Sequence, residues 1–135
     1  MEEKSVQKIF SKYLLGVVVF VSGGVVMIFE LVGSRITGPY VGTSTYAWTS
    51  LIGVILASLS LGYYLGGKLA DKRPDTLPLA IIIAISGLLI AISTFFKDII
   101  PSIISSYPLS LETKSILISL ILFAPASFFL GMISN

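Results

Sequence analysis

The chain has 135 residues, of which 55% are hydrophobic and only 12% are charged, with a formal net charge of +2. Soluble domains carry about 25% charged residues, and a globule this small has too little interior to hide so much apolar side chain. A soluble enzyme and a disordered tail are both excluded; without cysteine or histidine, disulfides, thiolate zinc sites and imidazole chemistry are excluded as well.

Taken in chain order, the charges act as punctuation. Lys4, Lys8 and Lys12 mark a basic arm over residues 1–11, and 17 uncharged residues then run from Tyr13 to Phe29. This stretch is longer than the usual hydrophobic core of a signal peptide, and no clear cleavage site follows, so it reads as an uncleaved span. A further 32 uncharged residues separate Arg35 from Lys68, 21 lie between Asp75 and Lys97, and 21 follow Lys114. A spanning helix needs about 20 mostly apolar residues. The expected fold is therefore an all-α integral membrane protein with four transmembrane helices, over about 12–34, 45–69, 77–96 and 115–133. Residues 12–135 then form one transmembrane domain.

Between the first two spans, Gly38-Pro39-Tyr40-Val41-Gly42 predicts a tight turn, after which Thr43 or Ser44 caps the second helix. Tyr46 and Trp48 suit the membrane interface. Ser58, Gly62 and Gly66 form a stripe of small residues on the second helix, a seam for close helix packing. It serves either a dimer or sliding contact or, more plainly, the bundle itself, with Ala80, Ala84, Gly87 and Ala91 of the third helix as the facing stripe. Tyr63 and Tyr64 lie deeper, where hydrogen bonding inside the bundle is open to them. The apolar stretch from Ile99 to Leu111 is short and carries Pro101 and Pro108, which predicts an interfacial or re-entrant loop rather than a span.

Lysine and arginine set the expected orientation. Lys4, Lys8, Lys12, Lys68, Lys72 and Arg73 outnumber Arg35, Lys97 and Lys114, which puts both termini in the cytoplasm, most simply at the cell membrane. Glu30 is the one acid within a predicted span. A spacing of five puts it about 140° from Arg35 on a continuous helix, so the two are not a simple pair. Glu30 either lines a polar site for a cation or a proton, or is solvated at the interface, or is capped by Arg35 after fraying at Gly33-Ser34. On the inner side, Asp71 can accept from a neighbouring helix N-terminus or pair with Arg73. Gly67, Asp71 and Lys72 resemble the loop after the second helix of major-facilitator transporters, with Pro74 where a glycine is usual.

Several ordered motifs point to a family. Phe29-Glu30-Leu31-Val32-Gly33-Ser34-Arg35, the Gly38–Gly42 turn, Tyr46-Ala47-Trp48-Thr49-Ser50-Leu51-Ile52-Gly53 and the run from Gly62 to Asp71 resemble the membrane-bound spermidine synthase-like proteins, often labelled fused major-facilitator/spermidine synthase. Pro125-Ala126 and Gly131-Met132 fit the same pattern. The resemblance covers about residues 20–74 closely and the rest loosely. It implies that such helices precede a Rossmann-like aminopropyltransferase domain, which uses decarboxylated S-adenosylmethionine and a polyamine. No such domain is expected within these 135 residues, so the chain reads as a truncated or split membrane module, or one that has lost its enzyme. The expectation is a module without catalytic residues, metal or cofactor. It anchors, or supplies substrate to, an aminopropyltransferase-like partner on the cytoplasmic side, and nucleic acid is not a partner. The alternative is a small polyamine or cation transporter working as a homo-oligomer.

Overall fold

A computed structural model describes residues 1–42, 44–73 and 75–133. Among them the elements are all helical: α1 Glu2–Val41, α2 Thr45–Lys72, α3 Thr76–Phe96, α4 Ile99–Ser105, α5 Leu111–Leu122 and α6 Ala124–Ile133. Three helices, α1, α2 and α3, are long and apolar enough to cross a membrane, and α5 with α6 makes a fourth if that bent pair counts as one span.

α1 is far longer than the span expected over 12–34. Its 40 residues extend about 60 Å, twice the hydrocarbon thickness of a bilayer. The basic arm continues the helix because nothing in residues 2–11 breaks it, and Glu2 and Glu3 complement the positive helix N-terminus. At the other end the predicted five-residue turn is absent. Pro39 lies inside the last turn of α1, where its missing N–H removes one hydrogen bond, and the helix runs on to Val41. The chain reverses only at Gly42, whose φ of 82° suits glycine and whose N–H donates to the Gly38 carbonyl at 2.8 Å. Ser44 caps α2 by accepting the Ala47 N–H. Thr43, the other cap considered, lies outside the described residues, as do Pro74, Ser134 and Asn135.

The last predicted span is broken. α5 and α6 meet at Phe123 with a bend of 50°. Pro125 stands at the second position of α6, where it cannot donate to the preceding turn and crowds its carbonyls. One carbonyl at the break, that of Leu122, accepts the Ser93 hydroxyl of α3 at 2.7 Å. The segment read as a loop over 99–111 also differs: residues 99–105 form the two-turn α4. Pro101 is its third residue, a position whose N–H has no intrahelical partner to lose.

α6 is the centre of the packing, with its largest contact on α2 and a second on α3, while α5 lies against α2, α1 and α4. Leu51, Ile55, Ile118, Leu122, Phe123 and Ala126 make the main core. Phe29 meets Phe123 edge to face at 5.1 Å. The whole exposes 8996 Å², against about 6,900 Å² for a compact soluble chain of this mass. Much of the excess is apolar: only 6% of the most apolar window of α1, 11% of that of α3 and 33% of that of α2 is buried inside the bundle. Helices so apolar and so little covered are compatible with a membrane protein.

Candidate functional site

The polar groups divide between two ends of the bundle. Leu15 of α1, Leu69 of α2, Thr76 of α3 and Met132 of α6 line one cavity. The part of α1 around Leu15, the end of α2, the start of α3 and the end of α6 are therefore together at one end. The opposite end holds Gly42, Lys97, Asp98 and α4. There the Tyr40 hydroxyl reaches the Asp98 carbonyl at 3.5 Å, and Lys114 donates to the Ser105 carbonyl at 3.0 Å. Lys97 pairs with the Asp98 carboxylate at 2.8 Å. That hydrogen bond, with the attraction of the negative charge, raises the Lys97 ammonium above the ordinary lysine value.

Glu30 is half-buried on α1, between buried Phe29 and buried Gly33. The helix runs unbroken through Gly33 and Ser34, so fraying does not bring Arg35 to Glu30. Arg35 is exposed, and the only ion pair among the described residues is Lys97–Asp98. Glu30 therefore carries a carboxylate beside the α1 contact with Phe123 and has no charged partner there. Gly33 gives that contact room, since a Cβ on it would lie 3.0 Å from the Phe123 ring.

Ser58, Gly62 and Gly66 are buried on α2, but the surface they meet is α6 and not α3. A Cβ at Gly62 would collide with the Phe128 carbonyl oxygen and lie 3.0 Å from Gly131 Cα. One at Gly66 would lie 2.8 Å from Met132 Cα, and one at Gly131 would lie 2.6 Å from the Leu59 carbonyl oxygen. The stripe expected to face them, Ala80, Ala84, Gly87 and Ala91, is exposed, and a Cβ at Gly87 meets nothing within 4 Å. The sequence signal for the true partner is Ser127-x-x-x-Gly131, a second small pair at helical spacing in α6.

Towards the end of α2 Gly67 is half-buried and Asp71, Lys72 and Arg73 are exposed. Asp71 and Lys72 belong to the last turn of α2 rather than to a loop. Asp71 neither pairs with Arg73 nor caps α3, whose N-cap residue is Asp75. Tyr63 and Tyr64 lie on the outside of α2, Tyr64 with 68% of its surface exposed, so the bundle interior is not their place. Gly38, Pro39, Tyr40 and Gly42 form the end of α1 and its exit. Among the described residues no three acidic side chains gather in a way that could hold a metal ion.

One feature of the geometry has no counterpart in the sequence patterns. α1 and α3 stand apart along most of their length, with two cavities between them and a third where α1, α2, α3 and α6 meet. The third, about 230 Å³ and walled mainly by α2 and α3, has Arg73 and Asp75 in its lining. The middle one, about 460 Å³, is lined by Val18, Val21, Ser22, Ile83, Ser86 and Gly87. The one at the Lys97 end, about 160 Å³, lies beside Phe29, Ser93, Phe123 and Lys97. No family model, no curated protein and no solved structure matches this chain.

Proposed function

We propose that this chain is a multi-pass, non-catalytic membrane module of a spermidine synthase-like protein, with both termini in the cytoplasm and the cell membrane as its site. It anchors, or passes substrate to, an aminopropyltransferase-like partner on that side. The observation that carries the reading is the mismatch between α1 and a bilayer. The apolar part of α1 is left uncovered for lipid, while its first 11 residues, with Lys4, Lys8 and Lys12, continue as an exposed helix beyond the end that bears Lys68, Lys72 and Arg73. Six bases at one end against three at the other favour the cytoplasm for the former. A rigid, charged helix standing out of the membrane is a suitable support for a soluble partner.

The chain has no cysteine, so single replacements report sidedness cleanly. A thiol reagent that does not cross membranes should label Ser110→Cys in intact cells, and Ser5→Cys only after permeabilisation; the reverse pattern rejects the orientation. Carbonate at high pH should leave the chain in the membrane. Uptake of labelled putrescine or spermidine into liposomes by the purified chain alone would reject the anchoring role.

The second reading, a small polyamine or cation transporter acting as a homo-oligomer, is favoured by Glu30 alone. A half-buried carboxylate on an apolar helix, without a charged partner, is a candidate contact for a cation. If it is one, Glu30→Gln abolishes uptake; uptake unchanged by that substitution removes Glu30 from the path.

A further inference from the structure

We propose that the gap between α1 and α3, together with the adjoining cavity where α1, α2, α3 and α6 meet, is a binding slot for one glycerophospholipid, with its headgroup at Arg73 and Asp75 and an acyl chain running outward between α1 and α3. The inference rests on the membrane placement proposed above, but not on the enzyme partner. The inner and middle cavities adjoin. Leu79, Ile82 and Met132 wall the first, and Ile83 and Ile133, the next residues along α3 and α6, wall the second. Of these two cavities only the inner one has charged groups, at its rim, whereas Val17, Val18, Val21 and Val25 make one wall of the middle cavity and Ile83 and Ile90 the other. A polar mouth leading into a long apolar slot is the shape of an amphiphile.

The middle cavity spans α1 from Val17 to Val25, about 12 Å along the axis, a length that an extended acyl segment can follow. The two serines in its wall add no demand for a polar ligand, because Ser22 and Ser86 donate to the carbonyls of Val19 and Ile83 on their own helices, each at 2.8 Å.

Charge decides the headgroup. Arg73 and Asp75 line the same cavity without pairing with each other. A guanidinium offers a fork of donors to phosphate, and a carboxylate accepts from a primary ammonium. Basic pockets between helices on the cytoplasmic side are known lipid-headgroup sites. Here the added carboxylate selects a phosphate linked to an ammonium that has N–H groups, as in phosphatidylethanolamine. Choline has no N–H to donate, and glycerol leaves the carboxylate beside a net negative headgroup.

The test uses the full chain, purified in mild detergent and then returned to phosphatidylcholine nanodiscs doped with phosphatidylethanolamine or phosphatidylglycerol. Retained lipid is counted by native mass spectrometry. The expected result is one tightly held phosphatidylethanolamine per chain, retained in preference to the other two. Gly87→Leu, which points into open space and fills the slot, should remove it, while Gly53→Leu, also into open space but outside the slot, should not. Arg73→Gln should lower retention about fivefold, the worth of one cation at a headgroup, and Asp75→Asn should erase the preference over phosphatidylcholine. Equal retention of all three lipids, retention unchanged by Gly87→Leu, or a second copy of the chain cross-linking into the slot would each overturn the proposal. Such outcomes leave the membrane reading intact, because resistance to carbonate tests that separately.

Discussion

The α2–α6 seam and the α1–α3 slot are built from similar material and behave in opposite ways. Both run along apolar helices that carry glycine and serine. At the seam, Gly62 and Gly66 meet Gly131 and Met132 so closely that backbone touches backbone. At the slot, Gly87 faces open space, and the valines of α1 stand off from the isoleucines of α3. The difference lies in whether small residues face small residues. In lipid, close approach brings dispersion and weak polar contacts into range, and water supplies no extra push. A stripe opposed by a complementary stripe closes, and one opposed by branched side chains leaves a gap.

The largest expected effect comes from forcing the seam apart. Gly62→Leu places a side chain where the α6 backbone already sits, so a loss of more than about 3 kcal/mol is expected, or no folded bundle at all. Denaturation in mixed micelles followed by circular dichroism measures it. Ser93→Ala removes the hydroxyl that occupies the Leu122 carbonyl at the α5–α6 bend. It should cost about 1 kcal/mol, less if the bend relaxes to admit lipid or water. Gly87→Ala makes the opposite point to Gly62→Leu, since it should be neutral or stabilise α3 by up to about 1 kcal/mol through helix propensity. If Gly62→Leu and Gly87→Ala shift the denaturation midpoint alike, the contrast between seam and slot is wrong.

Smaller effects sharpen the picture at single groups. Ser127 is fully buried and its hydroxyl has no hydrogen-bond partner, so Ser127→Ala should cost nothing and can stabilise by about 1 kcal/mol. The Lys97–Asp98 pair is exposed and the lysine value is raised. Its contribution is therefore full below the ordinary lysine value and fades as pH rises through the raised one, by an amount that added salt also suppresses. A stability profile that instead rises with pH in the alkaline range would remove the pair as its cause.

Apolar runs between charges place α2, α3 and the α5–α6 region close to their observed positions, whereas α1 runs from Glu2 to Val41, well past the expected 12–34, because nothing in the basic arm breaks the helix. Local punctuation is less dependable. Gly38 and Pro39 look like a turn, yet one missing N–H in the last helical turn is a small cost and the helix continues through them. Pro125 looks minor within a long apolar run, yet it falls mid-span, where its ring and missing donor bend the chain by 50°. Glu30 is legible as the unusual acid, and its separation from Arg35 follows from the 100° step of a continuous helix.

Sequence alone determines that the chain is helical, apolar and without cysteine or histidine, and roughly where its long helices lie. Those properties follow from composition and from residues near one another along the chain. Only the tertiary structure decides that Gly62 and Gly66 face Gly131 rather than Gly87, that Ser93 donates to the Leu122 carbonyl at the α5–α6 bend, and that α1 and α3 leave a slot between residues 17–25 and 83–90. Each depends on which helix faces which, and that depends on shape complementarity between faces that carry nearly the same hydropathy. A residue pattern indifferent to partner cannot encode that choice in a form readable one helix at a time.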